Sequence, residues 1–444
     1  MSSWASRTLP PGDAVGGAGG PATGQERPPG RRRPLDRDFS RLWTSSGISA
    51  VGDGMTLTAA PLLASHLTDD ARLIGGVAAV MTIPFVLFGI PAGWLVDRVD
   101  LRVAMIWVDA VRAAVMVVLT VGVLTDRGGL LLLYACMFLV GAGETFFRNA
   151  SQALVPVIVA GSGLTTANAR IVSTQEAGSS FFGPLAGAAL FGFGMALPFG
   201  VDAASFLCSA ILLSRLSAGR TAAARAAATG AAPRAGVRSE MLAGIRWLWG
   251  HRLLRTLSLL GCAVNMVATA SLAVLVVHAQ DVLGLGSFGY GVLLACQAAG
   301  AVAAGRLAAV LTDRFGREGA LVAAASMIVV AEALIATVAS PYAAGLALAL
   351  FACATVVWTV STVVLRQTLV PPHLLGRVNS VSRLIAWGGL PVGAAVGGVV
   401  AEVYGTPAVY AIGAAGMAVI ALGLLYGARR QWITRAAAGA PGTE

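Results

Sequence analysis

The sequence predicts an all-α membrane protein of twelve transmembrane helices, arranged as two pseudo-symmetric six-helix bundles. Three observations predict it. About a dozen nearly uncharged apolar segments, each long enough to cross a bilayer, follow one another along the 444 residues. All 31 cationic side chains are Arg, and most gather between alternate pairs of those segments. A loop motif in the first half recurs at the matching place in the second.

Composition supports the same class. Hydrophobic residues make up 57% and charged residues 12%, and mean hydropathy is +0.78. A soluble domain of this length could not hide that much apolar surface in its own core, so lipid must solvate its exterior. The apolar runs are continuous and roughly 20 residues long, which suits helices, whereas a barrel would show short alternating stretches. Net charge is +10, yet the arginines flank apolar segments, so phospholipid headgroups are the expected counter-charge and nucleic acid is not. The five cysteines, Cys136, Cys208, Cys262, Cys296 and Cys353, all lie in apolar runs without CxxC or His-rich spacing. They read as small buried hydrophobes, with no disulfide and no metal expected.

In chain order, residues 1–38 are rich in Gly, Pro and Arg and predict a disordered cytoplasmic tail. Arg31, Arg32 and Arg33 precede a full-length span with no cleavage site, so this is not a signal peptide. The expected spans are 41–65, 72–96, 102–124, 130–153, 166–190 and 195–215, then 256–280, 288–312, 319–340, 343–366, 378–401 and 407–427. They form an N-terminal bundle over 39–215 and a C-terminal bundle over 256–428. The linker 216–255 ends in an amphipathic stretch, Arg238 to Trp249, suited to a cytoplasmic surface helix. Residues 429–444 form a second cytoplasmic tail. Arg98, Arg102, the arginines from Arg215 to Arg255, Arg314, Arg317, Arg377, Arg429 and Arg430 share one side, which by the positive-inside rule is cytoplasmic and holds both termini. The expected location is the inner (plasma) membrane.

The internal repeat is visible in short motifs. Gly93, Asp97, Arg98 and Arg102 follow the second span, and Asp313, Arg314 and Arg317 follow the eighth. Leu154-Val155-Pro156 is echoed by Leu369-Val370-Pro371, and Gly183-Pro184 by Leu390-Pro391. Paired halves with a shared pattern are what parallel-repeat transporters show.

At these residues the chain resembles the major facilitator superfamily, whose loop motif Gly-x-x-x-Asp-Arg appears at Gly93, Asp97, Arg98 and Arg102. Gly178, Gly183, Pro184 and Gly187 approximate the family's antiporter motif, with the first interval one residue longer. The segments Arg41–Ser46, Asp109–Arg112 and Glu144–Ala150 are similar to the macrolide-efflux and siderophore-exporter branch of bacterial drug:proton antiporters. The resemblance implies that the loop motif locks the halves in one state, that the fifth span kinks for gating, and that the protein exports its substrate.

Depth selects the ionisable candidates. Counted at about 1.5 Å per residue, Asp53 lies roughly 18 Å into the first span, Glu144 roughly 21 Å into the fourth and Glu176 roughly 15 Å into the fifth. Desolvation disfavours a carboxylate at that depth, and a group that gains and loses a proton there is what proton coupling requires. Asp53 has no partner within its own helix and is flanked by Gly52 and Gly54, which would thin the helix and admit water or substrate. Asp109 and Arg112 (i, i+3) and Glu144 and Arg148 (i, i+4) could each neutralise within one helix. Glu332 is the second-half candidate, while Asp202 and Glu402 fall near outer helix ends, where snorkelling or water satisfies them cheaply. Trp358, Trp387, Phe146 and Phe181 could line an apolar cavity or simply pack. No Walker-type loop and no Lys occur, so neither an enzyme nor a bound cofactor is expected. The leading expectation is a monomeric, proton-coupled exporter of a small hydrophobic substrate. The rivals are an importer or facilitator on the same fold and a non-transporting membrane sensor or scaffold.

Overall fold

Hydrocarbon offers a peptide group no hydrogen-bond partner, so a chain this apolar satisfies its backbone within helices. The structure, a computed structural model, describes residues 37–96, 99–159, 163–217 and 245–429, and the regular elements there are all helical. In chain order they are α1 (Arg37–Leu67), α2 (Ala71–Val96), α3 (Leu101–Leu124), α4 (Leu130–Ile158), α5 (Leu164–Ala177), α6 (Gly183–Phe193), α7 (Leu197–Ser214), α8 (Arg252–Val277), α9 (Ser287–Thr337), α10 (Pro341–Leu369), α11 (Pro372–Tyr404) and α12 (Thr406–Arg429). A π-helical turn, Gly178–Phe182, joins α5 to α6, and another, His278–Val282, extends α8.

The α5–α6 rod takes the place of the fifth expected span. The 51 residues of α9 hold the eighth and ninth, which turn on Gly316 at φ 70° and ψ 179°, a conformation only glycine adopts without strain. Among the described residues, nine helices are long and apolar enough to cross a membrane. With α1, the α5–α6 rod and the second arm of α9 added, this is consistent with twelve passes. The first span is missing from the nine because Ser45, Ser46, Ser49, Asp53, Thr56 and Thr58 make it too polar to face lipid. Most of its polar face is instead enclosed by protein, with α2, α4, α5, α6 and α7 packed around it.

In the first half α3 packs on α4 and α7, and α2 on α4; in the second, α8 packs on α11, and α9 on α10 and α12. The halves meet where α2 crosses α11 and α8, and where α6 crosses α9. Toward the end opposite Arg37 and Arg429, the Ala71 N–H donates to Glu402 Oε2 at 2.9 Å. There a methyl group on Gly75 would stand 3.1 Å from the Gly398 Cα, so the two backbones nearly touch. Glu402, expected near an outer helix end within reach of water, is exposed there and also ties the two halves together.

Several expectations fall partly beyond the described residues. Of the tail 1–38, only Arg37 and Asp38 are described, and they open α1, with Asp38 buried and paired to Arg41 at 3.1 Å. The amphipathic stretch is described from residue 245 and is helical over 245–250, with Leu248 buried and Trp249 half-exposed. Asp97, Arg98, the linker 218–244 and residues 430–444 lie outside the described residues. Cys208, read as buried, is exposed on α7.

Candidate functional site

Four helices of the first half, α1, α3, α4 and α7, converge on one side chain. Arg112 of α3 is 1% exposed. It passes beside Gly143 of α4, where a Cβ would stand 2.7 Å from the arginine Cδ. Its guanidinium pairs with Asp53 of α1, reaches Glu144 Oε2 of α4 at 3.3 Å and faces Asp109 Oδ1 at 3.6 Å. The Phe206 ring of α7 lies 3.9 Å beneath the guanidinium carbon, a cation–π contact. Glu144 is shared, since its Oε1 accepts from Arg148 at 3.1 Å. Against α1 from the α7 side, Asp202 accepts from Thr56 Oγ1 at 2.6 Å and from Ser205 Oγ at 3.0 Å.

This cluster holds four acids, Asp53, Asp109, Glu144 and Asp202, against two guanidiniums, Arg112 and Arg148. Two acids are therefore in excess in a setting where an uncompensated charge is costly.

The structure joins residues that sequence spacing kept apart. Asp53, which has no partner within its own helix, pairs with Arg112 of another, because α1 lies against the face of α3 that Arg112 occupies. Asp202, expected to be wetted near a helix end, is 0% exposed and belongs to the cluster. Spacing along the helix gives its distance from that end; it does not give the neighbour on its side of the helix. Gly52 and Gly54 do not open α1 to water. Gly52 makes room for the Asp202 carboxylate and Ser205, and Gly54 for Ser179 and Gly183. Asp202 with Ser205 three residues on, within an otherwise apolar run, was the signal available for this site.

Other candidates lie elsewhere. Glu176 accepts from Ser180 at 2.8 Å. Glu332 is 1% exposed, accepts from Ser271 of α8 at 2.7 Å and leaves its Oε2 without a hydrogen-bond partner. In the loop motif, Arg102 donates to the carbonyls of Leu213 and Ser214, capping the last turn of α7 within the same half. Its counterpart Arg317 reaches Thr368 at 3.5 Å, while Arg314 lies 5.8 Å over the neighbouring Phe315 ring and is exposed beside Asp313 at the Gly316 corner. Phe146 and Trp358 are core residues, and Phe181 packs on Phe182.

The antiporter-like motif is a packing stripe. Cβ atoms on Gly178, Gly183 and Gly187 would each meet α1 between Ala50 and Met55, at 2.6 to 3.0 Å. The extra residue in the first interval is absorbed by the π turn Gly178–Phe182, whose wider loop keeps the glycines on one face. Pro184 follows directly, where the backbone has already left regular α-helical bonding.

Residues 33–437 match the family described as transmembrane secretion effector. Over 189 residues the chain is 28% identical to the putative bacilysin exporter BacE of Bacillus amyloliquefaciens, and equally to that of Bacillus subtilis. The match covers 41% of this chain and 45% of the relative, so the chain spans under half the length of these curated relatives. Among solved structures, the nucleoside transporter NupG superposes with a TM-score of 0.69 at 14% identity, covering 88% of this chain and 98% of that one. A bacterial homologue of the lysosomal transporter Spinster, inward-facing, gives 0.66 at 15%, covering 93% and 100%. A bacterial homologue of the iron transporter ferroportin, also inward-facing, gives 0.65 at 16%, covering 88% and 100%. At these identities the likeness is one of fold. With the family match running over nearly the whole chain and its helices in this fold, the protein belongs to the transmembrane secretion effectors of the major facilitator superfamily, a transporter and not an enzyme.

Proposed function

We propose that this transporter exports a hydrophobic small molecule, such as an antibiotic, another drug or a secreted metabolite, in exchange for protons. It works as a monomer in the plasma membrane, both termini cytoplasmic, by alternating access of its two halves. The observation that carries the reading is the Arg112 cluster. Four acids share two guanidiniums across α1, α3, α4 and α7, so a proton arriving or leaving changes which ion pairs hold and thereby which helix positions are favoured. Asp53 and Glu144, with side chains 19% and 16% exposed, are the members a proton reaches first; Asp109, at 0%, is not. α1 passes the change on, because it lies along the glycine stripe of the α5–α6 rod and α6 in turn meets α9 of the other half. The family description and the likeness to a putative exporter support the outward direction.

The test is uptake of lipophilic fluorescent drugs into everted vesicles bearing the full chain, with and without a protonophore, beside Asp53→Asn and Glu144→Gln. Protonophore-sensitive accumulation that both variants lose is the expected result. Accumulation that survives in both variants would refute the coupling site, and net movement in the opposite direction would make the protein an importer.

A further inference from the structure

The face that the second half turns toward the seam carries positive charge that no described acid neutralises. Arg366, near the end of α10, donates to Ser382 Oγ of α11, and its buried Nε has no hydrogen-bond partner. Beside Ser382, Arg383 lays its guanidinium carbon 4.4 Å over the Trp387 ring. Trp387 meets Phe85 of α2 edge-on, with centroids 6.2 Å apart, which places the stacked pair at the junction of the halves. Arg383 is within electrostatic reach of Arg366 on its own side and of Arg148 on the facing half. Among the described residues no ion pair joins Arg366 or Arg383 to a carboxylate.

Arg383 is exposed, Arg366 half-buried and the Arg148 side chain 43% exposed, so an anion can approach them. Guanidiniums gathered at one seam repel one another and raise the local potential, and an entering anion relieves both effects. The planar fork of arginine matches a carboxylate, and Trp387 with Phe85 offers an apolar surface beside it. We infer that the transported molecule is an organic anion whose carboxylate is held by Arg383, in the field of Arg366 and Arg148, and whose apolar body rests on Trp387 and Phe85. This names the substrate class of the transporter proposed above and rests on that reading.

Two fluorescent probes of one shape separate charge from hydrophobicity: N-dansyl-phenylalanine, an anion at neutral pH, and its neutral methyl ester. Binding is read from dansyl emission on the purified full-length protein, without any pH gradient. The acid should bind at least about tenfold more tightly than the ester, the low end of what a charge-assisted hydrogen bond supplies. Arg383→Gln should erase that preference, and Arg383→Lys should keep part of it. Arg366→Gln should reduce it part-way, and this second variant keeps the test decisive if Arg383→Gln misfolds. Equal binding of acid and ester by the unaltered protein, or an undiminished preference in these variants, would overturn the inference. Because binding is measured apart from transport, the two readings can fail separately. Protonophore-sensitive efflux with no acid preference refutes only the anion site, and acid preference with no proton-driven efflux refutes only the coupling.

Discussion

Without its guanidinium, Arg112 would leave Asp53, Asp109 and Glu144 to share Arg148 alone in the interior of the first half. Breaking a buried pair by deleting one partner costs more than the pair is worth, because a charge is stranded. Arg112→Ala should therefore destabilise by about 3–5 kcal/mol, read as a lower melting temperature of the purified protein. Adding Asp53→Asn should recover part of that loss, because one stranded acid is gone; strictly additive effects would show that the pair is not coupled. Spacing alone revealed the pairs within one helix, Asp109 with Arg112 and Glu144 with Arg148. It could not reveal that Arg112 reaches across to Asp53, because that depends on which face of α1 meets α3. The burial of Asp202 is hidden for the same reason, since depth along a helix says nothing about what packs against its side.

At the scale of elements, the α5–α6 rod shows how an irregular motif can still be regular in space. Its glycines are five and then four residues apart, and the π turn makes both steps equivalent against α1. Deleting Phe182, whose ring is mostly exposed, should convert the π turn to an α turn with the stripe intact. That variant should fold and elute as the unaltered protein does in gel filtration. Gly183→Val should not, because its Cβ would stand 2.6 Å from both the Gly54 Cα and the Val51 carbonyl oxygen. If the deletion misfolds while Gly183→Val is tolerated, the stripe is not what seats this rod. The glycines and the odd interval were plain in the sequence, and so were nearly all the helices. The π turn was not, because it is a compromise between the inserted residue and the seat on α1. Nor was the enclosure of α1, whose polarity makes sense only once its neighbours are known.

At the scale of the whole molecule, charge is divided unevenly between the halves: surplus acid surrounds Arg112 inside the first, while arginine without an ion-pair partner gathers around Arg383 in the second and faces Arg148 across the seam. The halves also touch at an identifiable place, where α2 begins and α11 ends. There Arg72 grips Asp70 at 2.7 Å and holds its half-buried carboxyl down to about 2, so Asp70 stays ionised at the head of α2. Next to it, Glu402 accepts from Ala71 and Gly398 lies against Arg72. A transporter that alternates access must part this seam in every cycle. Gly75→Cys with Gly398→Cys, in a chain whose five native cysteines are replaced by Ala, should crosslink under mild oxidation, because the two backbones are already in contact. The crosslinked protein should bind substrate from the end at which α1 begins and α12 finishes yet fail to transport it, and a reductant should restore transport. Full activity in the crosslinked state would mean that α2 and α11 stay together throughout the cycle and that the halves move about some other line.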